Sequence, residues 1–206
     1  MTSDNRIQQI MHPDFQPYLE GSVTYAEFRK RFEQHVEGII NGTISDDYAD
    51  YYRLNWQRSV RNEKTFLAIP EMSGCLSRLN GTITWLVITE PWCGDSAQSL
   101  ATLHALSEAS GGKIDLRIFY RDSDTSLIDA FLTNGSRSIP KLIQLNAKFE
   151  VTGTWGPRPQ AAQELVVRLK SDPATAANYG EYLHKWYAED KTISLQQELL
   201  ALLEKA

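Results

Sequence analysis

The sequence predicts an α/β fold: a mixed β-sheet flanked by helices, with additional helices at the N- and C-terminal ends. Three observations predict it. Strand and helix patterns alternate across residues 85–132. A hairpin pattern follows, with strands at Lys141–Leu145 and 149–155. The segments on either side carry apolar residues at helical spacing. The expected organisation is a helical extension at 1–80 belonging to the same domain, a core at 81–170, and C-terminal helices at 171–206.

In the extension, Thr24 followed by Glu27 fits an N-terminal capping box. Phe28, Phe32, Val36, Ile39 and Ile40 then recur at helical spacing, and Asn41-Gly42 ends that helix. Asp46 or Asp47 can cap a second helix, whose Tyr48, Tyr51, Tyr52, Leu54 and Val60 form a wide apolar and aromatic face. Aromatic density of this kind reads as packing between helices rather than as a binding box. A third, short helix runs to Arg78 and stops at Asn80-Gly81.

The apolar run at 85–89 is a buried strand by its composition. A helix at 97–109 is closed by Gly111-Gly112. Ile114–Tyr120 alternates as a strand, and 126–132 is a short helix ending at Asn134-Gly135. Asn146-Ala147-Lys148 connects the hairpin strands. Strand–helix–strand alternation followed by a hairpin requires a mixed sheet. The segment 160–170 is helical through Leu165, Val166 and Leu169, and Asp172-Pro173 breaks it. Helices at 179–187 and 195–203 follow, the last with a leucine-rich face. Leucine periodicity does not choose between packing on the core and a dimer, so the oligomeric state stays open.

The chain has 206 residues, enough to bury a core without staples. Its net charge of -5 and scattered Lys and Arg give no basic footprint, so no nucleic acid partner is expected. Two cysteines, Cys75 and Cys93, are too few for a disulfide scaffold. The start Met1-Thr2-Ser3-Asp4-Asn5-Arg6 is polar, and no stretch reaches the apolar length of a membrane span. The expectation is a cytoplasmic protein with no membrane partner. His12, His35, His104 and His184 show no ligand spacing with one another or with the cysteines, so no metal and no cofactor is expected. Ser96 and Ser99 have no evident base.

The most informative stretch is Trp92-Cys93-Gly94-Asp95-Ser96, between the strand at 85–89 and the helix at 97–109. A cysteine there meets the positive end of the helix dipole, which favours the thiolate by about 0.3–1 kcal/mol. Asp95 opposes it. Two unit charges about 6 Å apart repel by roughly 0.7 kcal/mol in water and roughly 3 kcal/mol at an effective dielectric of 20. The sign of the shift on Cys93 is therefore open, and Arg121, Arg137 or Lys141 can tip it towards thiolate if they face the site. Cys75, mid-helix, reads as a buried small hydrophobe.

These residues carry a resemblance. The segment 85–157 resembles the thioredoxin superfamily: Trp92-Cys93-Gly94 after a buried strand, Ile139-Pro140 before the next strand, and Gly156 after the hairpin. The resemblance covers about a third of the chain and implies a thioredoxin-like fold. It also implies a cis Pro140 beside the thiol, with Ile139 offering its backbone to an extended peptide. Two departures matter. Ser96 stands where the resolving cysteine would be, and Val87 where a buried carboxylate would be. An intramotif dithiol cycle is then unavailable. What the resemblance leaves is a monothiol site, with Cys93 and Ser96 as its catalytic pair and protein thiols, disulfides or glutathione as partners.

The expected partner-binding residues are Trp92, Gly94, Asp95, Ile139, Pro140, Arg137 and Trp155. Trp155 and Arg158 belong to Thr154-Trp155-Gly156-Pro157-Arg158-Pro159, which reads first as a rigid turn. The alternative function is a non-catalytic binding module in which Trp92, Pro140 and Trp155 form the surface and Cys93 is dispensable. An iron–sulfur role like that of monothiol glutaredoxins is disfavoured, because Asp95 repels an anionic cluster.

Overall fold

Alternation along β1 (Ile83–Thr89) sorts the residues packed on the sheet into two cores, and a third, smaller cluster joins Ala162, Val166, Leu183 and Tyr187. Trp85 and Val87 face one way, with Cys75, Leu103, Leu142 and Leu199; Leu86 and Ile88 face the other, with Cys93, Leu127, Ile139 and Ile143. Both faces are covered, so the strand is apolar throughout and buried along its whole length. The two cysteines therefore lie in different cores.

The computed structural model describes residues 13–205. The polar start at 1–6 and His12 lie outside the described residues. Before β1 come α1 (Gln16–Glu20), α2 (Tyr25–Ile40), α3 (Ala49–Thr65) and α4 (Pro70–Arg78). After it come α5 (Gly94–Ala109), β2 (Ile114–Tyr120), α6 (Ser126–Ala130), β3 (Lys141–Leu145) and β4 (Val151–Trp155). The chain closes with α7 (Gln160–Ser171), α8 (Tyr179–Asp190) and α9 (Ile193–Leu203). The sheet order is β2-β1-β3-β4, with β1 parallel to β2 and antiparallel to β3, and β4 antiparallel to β3. Val23 bridges to Ile118, covering part of the β2 edge.

Thr24 caps α2 by accepting the Glu27 amide at 3.2 Å. The Glu27 carboxylate turns instead to Arg31, so only half of the capping box forms. Of its apolar positions, Ile40 is exposed while Phe28, Phe32, Val36 and Ile39 are buried. Asp46 accepts the Tyr48 amide at 2.7 Å, ahead of α3. The buried face of α3 is Asn55, Ser59 and Asn62, and Tyr48, Tyr51 and Leu54 are exposed. That reverses the expectation for Tyr48, Tyr51 and Leu54, whereas Tyr52 packs against the core beside Phe32 as expected. The reason is the partner: α3 docks on the start of α5, where Pro91 and Ala97 present carbonyls to Asn55 and Asn62.

The strand expected from 149 starts at Val151, because Asn146 folds the connection. Its side chain accepts the amides of Lys148 and Glu150, and Phe149 takes a φ of 59°. Gly156 has a φ of +114°, and a Cβ there would lie 2.1 Å from the Pro140 carbonyl oxygen. Only glycine fits that approach between the start of β3 and the end of β4. The Ile139–Pro140 and Gly156–Pro157 peptides are both cis.

Candidate functional site

Cys93 is the N-cap of α5, reached directly from the end of β1 through Glu90-Pro91-Trp92. Its thiol donates to the Ile139 carbonyl at 3.3 Å. Ser96, one turn on, is fixed by the Thr89 hydroxyl, which donates to it at 2.6 Å. Burial pushes the Cys93 thiol up, and the Asp95 charge pushes it further; the Ser96 hydroxyl and the Ser96 and Asp95 amides pull it back only in part. The balance left open by the sequence thus falls on the side of the protonated thiol, with burial as the larger cause.

Asp95 is buried and held from two sides. Arg158 donates Nε and Nη2 to one carboxylate oxygen, and the Tyr187 hydroxyl donates to the other at 2.8 Å. Burial lowers the Arg158 proton affinity, but the Asp95 contact outweighs it and holds the guanidinium charged. Arg158, read first as part of a rigid turn, is therefore a buried cation of the site, paired with Asp95.

None of the three cations proposed from sequence is among the groups acting on the Cys93 thiol. Arg137 is exposed and forked onto Asp129 at 2.6 and 2.7 Å. Lys141 is buried, and burial lowers its pKa. Arg121 pairs with Asp122 and lies 4.8 Å over the Trp92 ring.

Trp92 is stacked against Tyr48 at 5.6 Å on top of its Arg121 contact. Its ring forms one wall of a cleft of about 540 Å³ above Cys93. Tyr48, Tyr51 and Arg58 line it from the α3 side, and Tyr179 and His184 from the α8 side. Cys93, Gly94 and Asp95 form its floor. The exposed aromatics of the N-terminal helices thus belong to the site, whereas Phe28, Phe32 and Tyr25 pack in the core.

His184 approaches so closely that a Cβ on Gly94 would lie 3.0 Å from its Cε1 and 3.1 Å from its Nε2. Gln98 contacts His184 Nδ1 at 3.2 Å, and Asn62 fixes the Gln98 carboxamide by donating to its oxygen at 2.9 Å. This network makes Gln98 the donor and leaves His184 Nε2 as the N–H. Burial, then Arg58, Arg61 and Arg158, push the His184 pKa down to about 4.

Ile139 and Pro140 lie behind the thiol, both buried, and Ile139 meets it through its carbonyl. Trp155 does not line the cleft. It is buried in the core on the Cys75 side, and its indole N–H donates to Glu198 of α9 at 2.6 Å. Its expected place on a binding surface is taken by a structural tie between β4 and α9. Sequence reasoning missed Arg58, Tyr187, His184 and Glu90. Glu90 is buried three residues before Cys93, accepts the Asp122 amide at 2.8 Å, and has its pKa raised to about 7, chiefly by burial. The signal available for Tyr187 and Arg158 was Asp95 itself, since a carboxylate in a buried helix start needs donors.

A family model described as thioredoxin matches residues 42–178. The chain belongs to this thioredoxin family. The match takes in α3 and ends before α8, so most of the cleft falls within it. No curated protein matches the chain. A Pseudomonas aeruginosa protein of unknown function, solved as a 1.5 Å crystal structure, is similar in fold, with a TM-score of 0.62 at 19% identity. That alignment covers 93% of this chain and 98% of the other. An HIV epitope-scaffold is similar with a TM-score of 0.56 at 19% identity, covering 89% and 99%. Both share the thioredoxin-like fold with this chain. Among the described residues, no helix is long and apolar enough to cross a membrane, and no three His, Cys, Asp or Glu side chains gather as a metal site.

Proposed function

We propose that this thioredoxin-family chain is a binding module whose ligand site is the Cys93 cleft, with Cys93 held as a quiescent, protonated thiol at its floor. One observation carries the reading. Helices α3 and α8 wall the thiol into a cleft, while its proton is engaged by Ile139 and its ionisation is opposed by burial and Asp95. A cleft of this volume suits a small ligand or a single inserted side chain. Trp92, Gly94 and Asp95 keep the binding role expected of them; Ile139 and Pro140 support the thiol from behind.

The second reading is monothiol exchange through Cys93 and Ser96. It is favoured by the Ser96 hydroxyl and the two α5 amides that stabilise a thiolate. In that reaction the Cys93 sulfur attacks a disulfide, the old sulfur–sulfur bond breaks, and the leaving sulfur departs as a thiolate. The Cys93 proton goes to solvent, and Ser96 cannot resolve the adduct. Incubation with oxidised glutathione at neutral pH, followed by intact mass measurement, separates the readings. The binding-module reading expects Cys93 to stay unmodified in the folded chain and to react once the chain is unfolded. A rapid single glutathione adduct in the folded chain, lost in Cys93→Ser and kept in Cys75→Ser, would instead establish monothiol exchange.

A further inference from the structure

The cleft carries a charge imbalance that the thiol chemistry does not explain. Arg58 is half-buried on its α3 wall, and its hydrogen bond is to a neutral group, Nη1 donating to Asn55 at 2.9 Å. Among the described residues it has no carboxylate partner. Burial and the neighbouring Arg61 lower its pKa to about 10 against the opposing pull of the Asp95 charge, which still leaves it charged at neutral pH. A half-buried guanidinium with no carboxylate bonded to it keeps donors free for an anion.

Arg58 does not stand alone. Its Nη1 lies 3.5 Å from the point where a Gly94 Cβ would sit, and His184 Nε2 lies 3.1 Å from the same point. Two N–H donors therefore converge over a glycine at the start of a 16-residue helix. The bare Cα leaves room for their approach. Of the acids in the lining, Asp95 acts on Arg58 only through space, its hydrogen bonds being spent elsewhere. Asp95 is occupied by Arg158 and Tyr187, and Glu181 is exposed. The remaining walls are flat and aromatic, formed by Tyr48, Tyr51, Trp92 and Tyr179.

We propose that the cleft binds a small carboxylate with an aromatic body, its carboxylate meeting Arg58 and His184 from the open side of the cleft and its ring against Trp92 and Tyr48. This rests on the cleft being the ligand site and adds the chemical class of the ligand. Arg58 supplies the charge-assisted donors, His184 Nε2 a neutral donor, and the aromatic walls the apolar contact. A ligand seated there also covers the Cys93 sulfur.

The test uses the full chain and two probes of nearly equal shape, phenylacetate and its neutral isostere phenylacetamide, in isothermal titration calorimetry. Phenylacetate is expected to bind at least about tenfold more tightly than phenylacetamide. Arg58→Gln should abolish that preference, and Arg58→Lys should restore part of it, with circular dichroism unchanged. Phenylacetate should also slow iodoacetamide labelling of Cys93 in the Cys75→Ser background. Equal binding of the two probes would overturn the carboxylate site while leaving the cleft as a binding site. Binding of neither probe would overturn the carboxylate site as well. A preference for phenylacetate that survives Arg58→Gln would place the anion elsewhere and overturn the assignment.

Discussion

At the scale of the residue, Asp95 joins the electrostatics of the thiol to the architecture of the cleft. It raises the Cys93 pKa and at the same time anchors Arg158 and Tyr187. Asp95→Asn should lower the midpoint of Cys93 alkylation, because a negative neighbour disappears while the Arg158 charge remains. The same change should destabilise the fold by about 3 kcal/mol in urea unfolding, since it leaves a mostly buried guanidinium without its carboxylate. Gly156→Ala makes a separate prediction. With a φ of +114° and the Pro140 oxygen 2.1 Å from the new Cβ, backbone rather than a side chain must move. The expected loss is more than about 2 kcal/mol in thermal or denaturant unfolding. The sequence motif named Gly156 correctly as a special position; the contact that demands it is visible only with β3 and β4 side by side.

At the scale of the element, α3 shows how hydrophobic periodicity can select the wrong face. Tyr52 packs against the core as its spacing suggests, but Tyr51 and Leu54 do not, because the partner on that side is the polar start of α5 and the docked face is Asn55, Ser59 and Asn62. Asn62 donates to the Ala97 carbonyl and to Gln98, and Gln98 in turn positions His184. Asn62→Ala should therefore cost about 1–3 kcal/mol of stability in urea unfolding, the range for a buried polar group left unpartnered. It should also loosen His184, seen as a changed imidazole chemical shift, whereas a substitution at exposed Tyr51 should leave that shift in place. The strands, by contrast, were legible. An unbroken apolar run gave β1, strict alternation gave β2, and the Asn146 turn signal gave the hairpin. Each depends on neighbours close in sequence. The α8 half of the cleft depends on a residue 92 positions away, Tyr187 on Asp95, which no local pattern encodes.

At the scale of the whole molecule, two titratable groups, one buried and one half-buried, give the fold opposing responses to pH. Glu90 has its pKa raised from 4.5 to about 7, so its contribution is fully present below about pH 4.5 and is lost as pH rises through about 7. His184 is lowered from 6.5 to about 4, so its contribution is present above about pH 6.5 and is lost as pH falls through about 4. The slopes oppose each other between these values, and wild-type stability alone masks both. Glu90→Gln should gain stability relative to wild type as pH rises from about 4.5 to 7, read from urea unfolding at several pH values. A constant difference across that window would mean that Glu90 ionises normally.

The thioredoxin-like sheet, the helix carrying Cys93 and the two closed cores all serve to hold a thiol at the bottom of an aromatic, cationic cleft. Whether that thiol is quiescent is the central claim, and the pH dependence of Cys93 alkylation by iodoacetamide in a Cys75→Ser background tests it most directly. The account predicts slow labelling at neutral pH and a midpoint above the ordinary thiol value of about 8.5. Fast labelling at neutral pH with a midpoint well below that value would contradict it, and would make Cys93 an activated nucleophile.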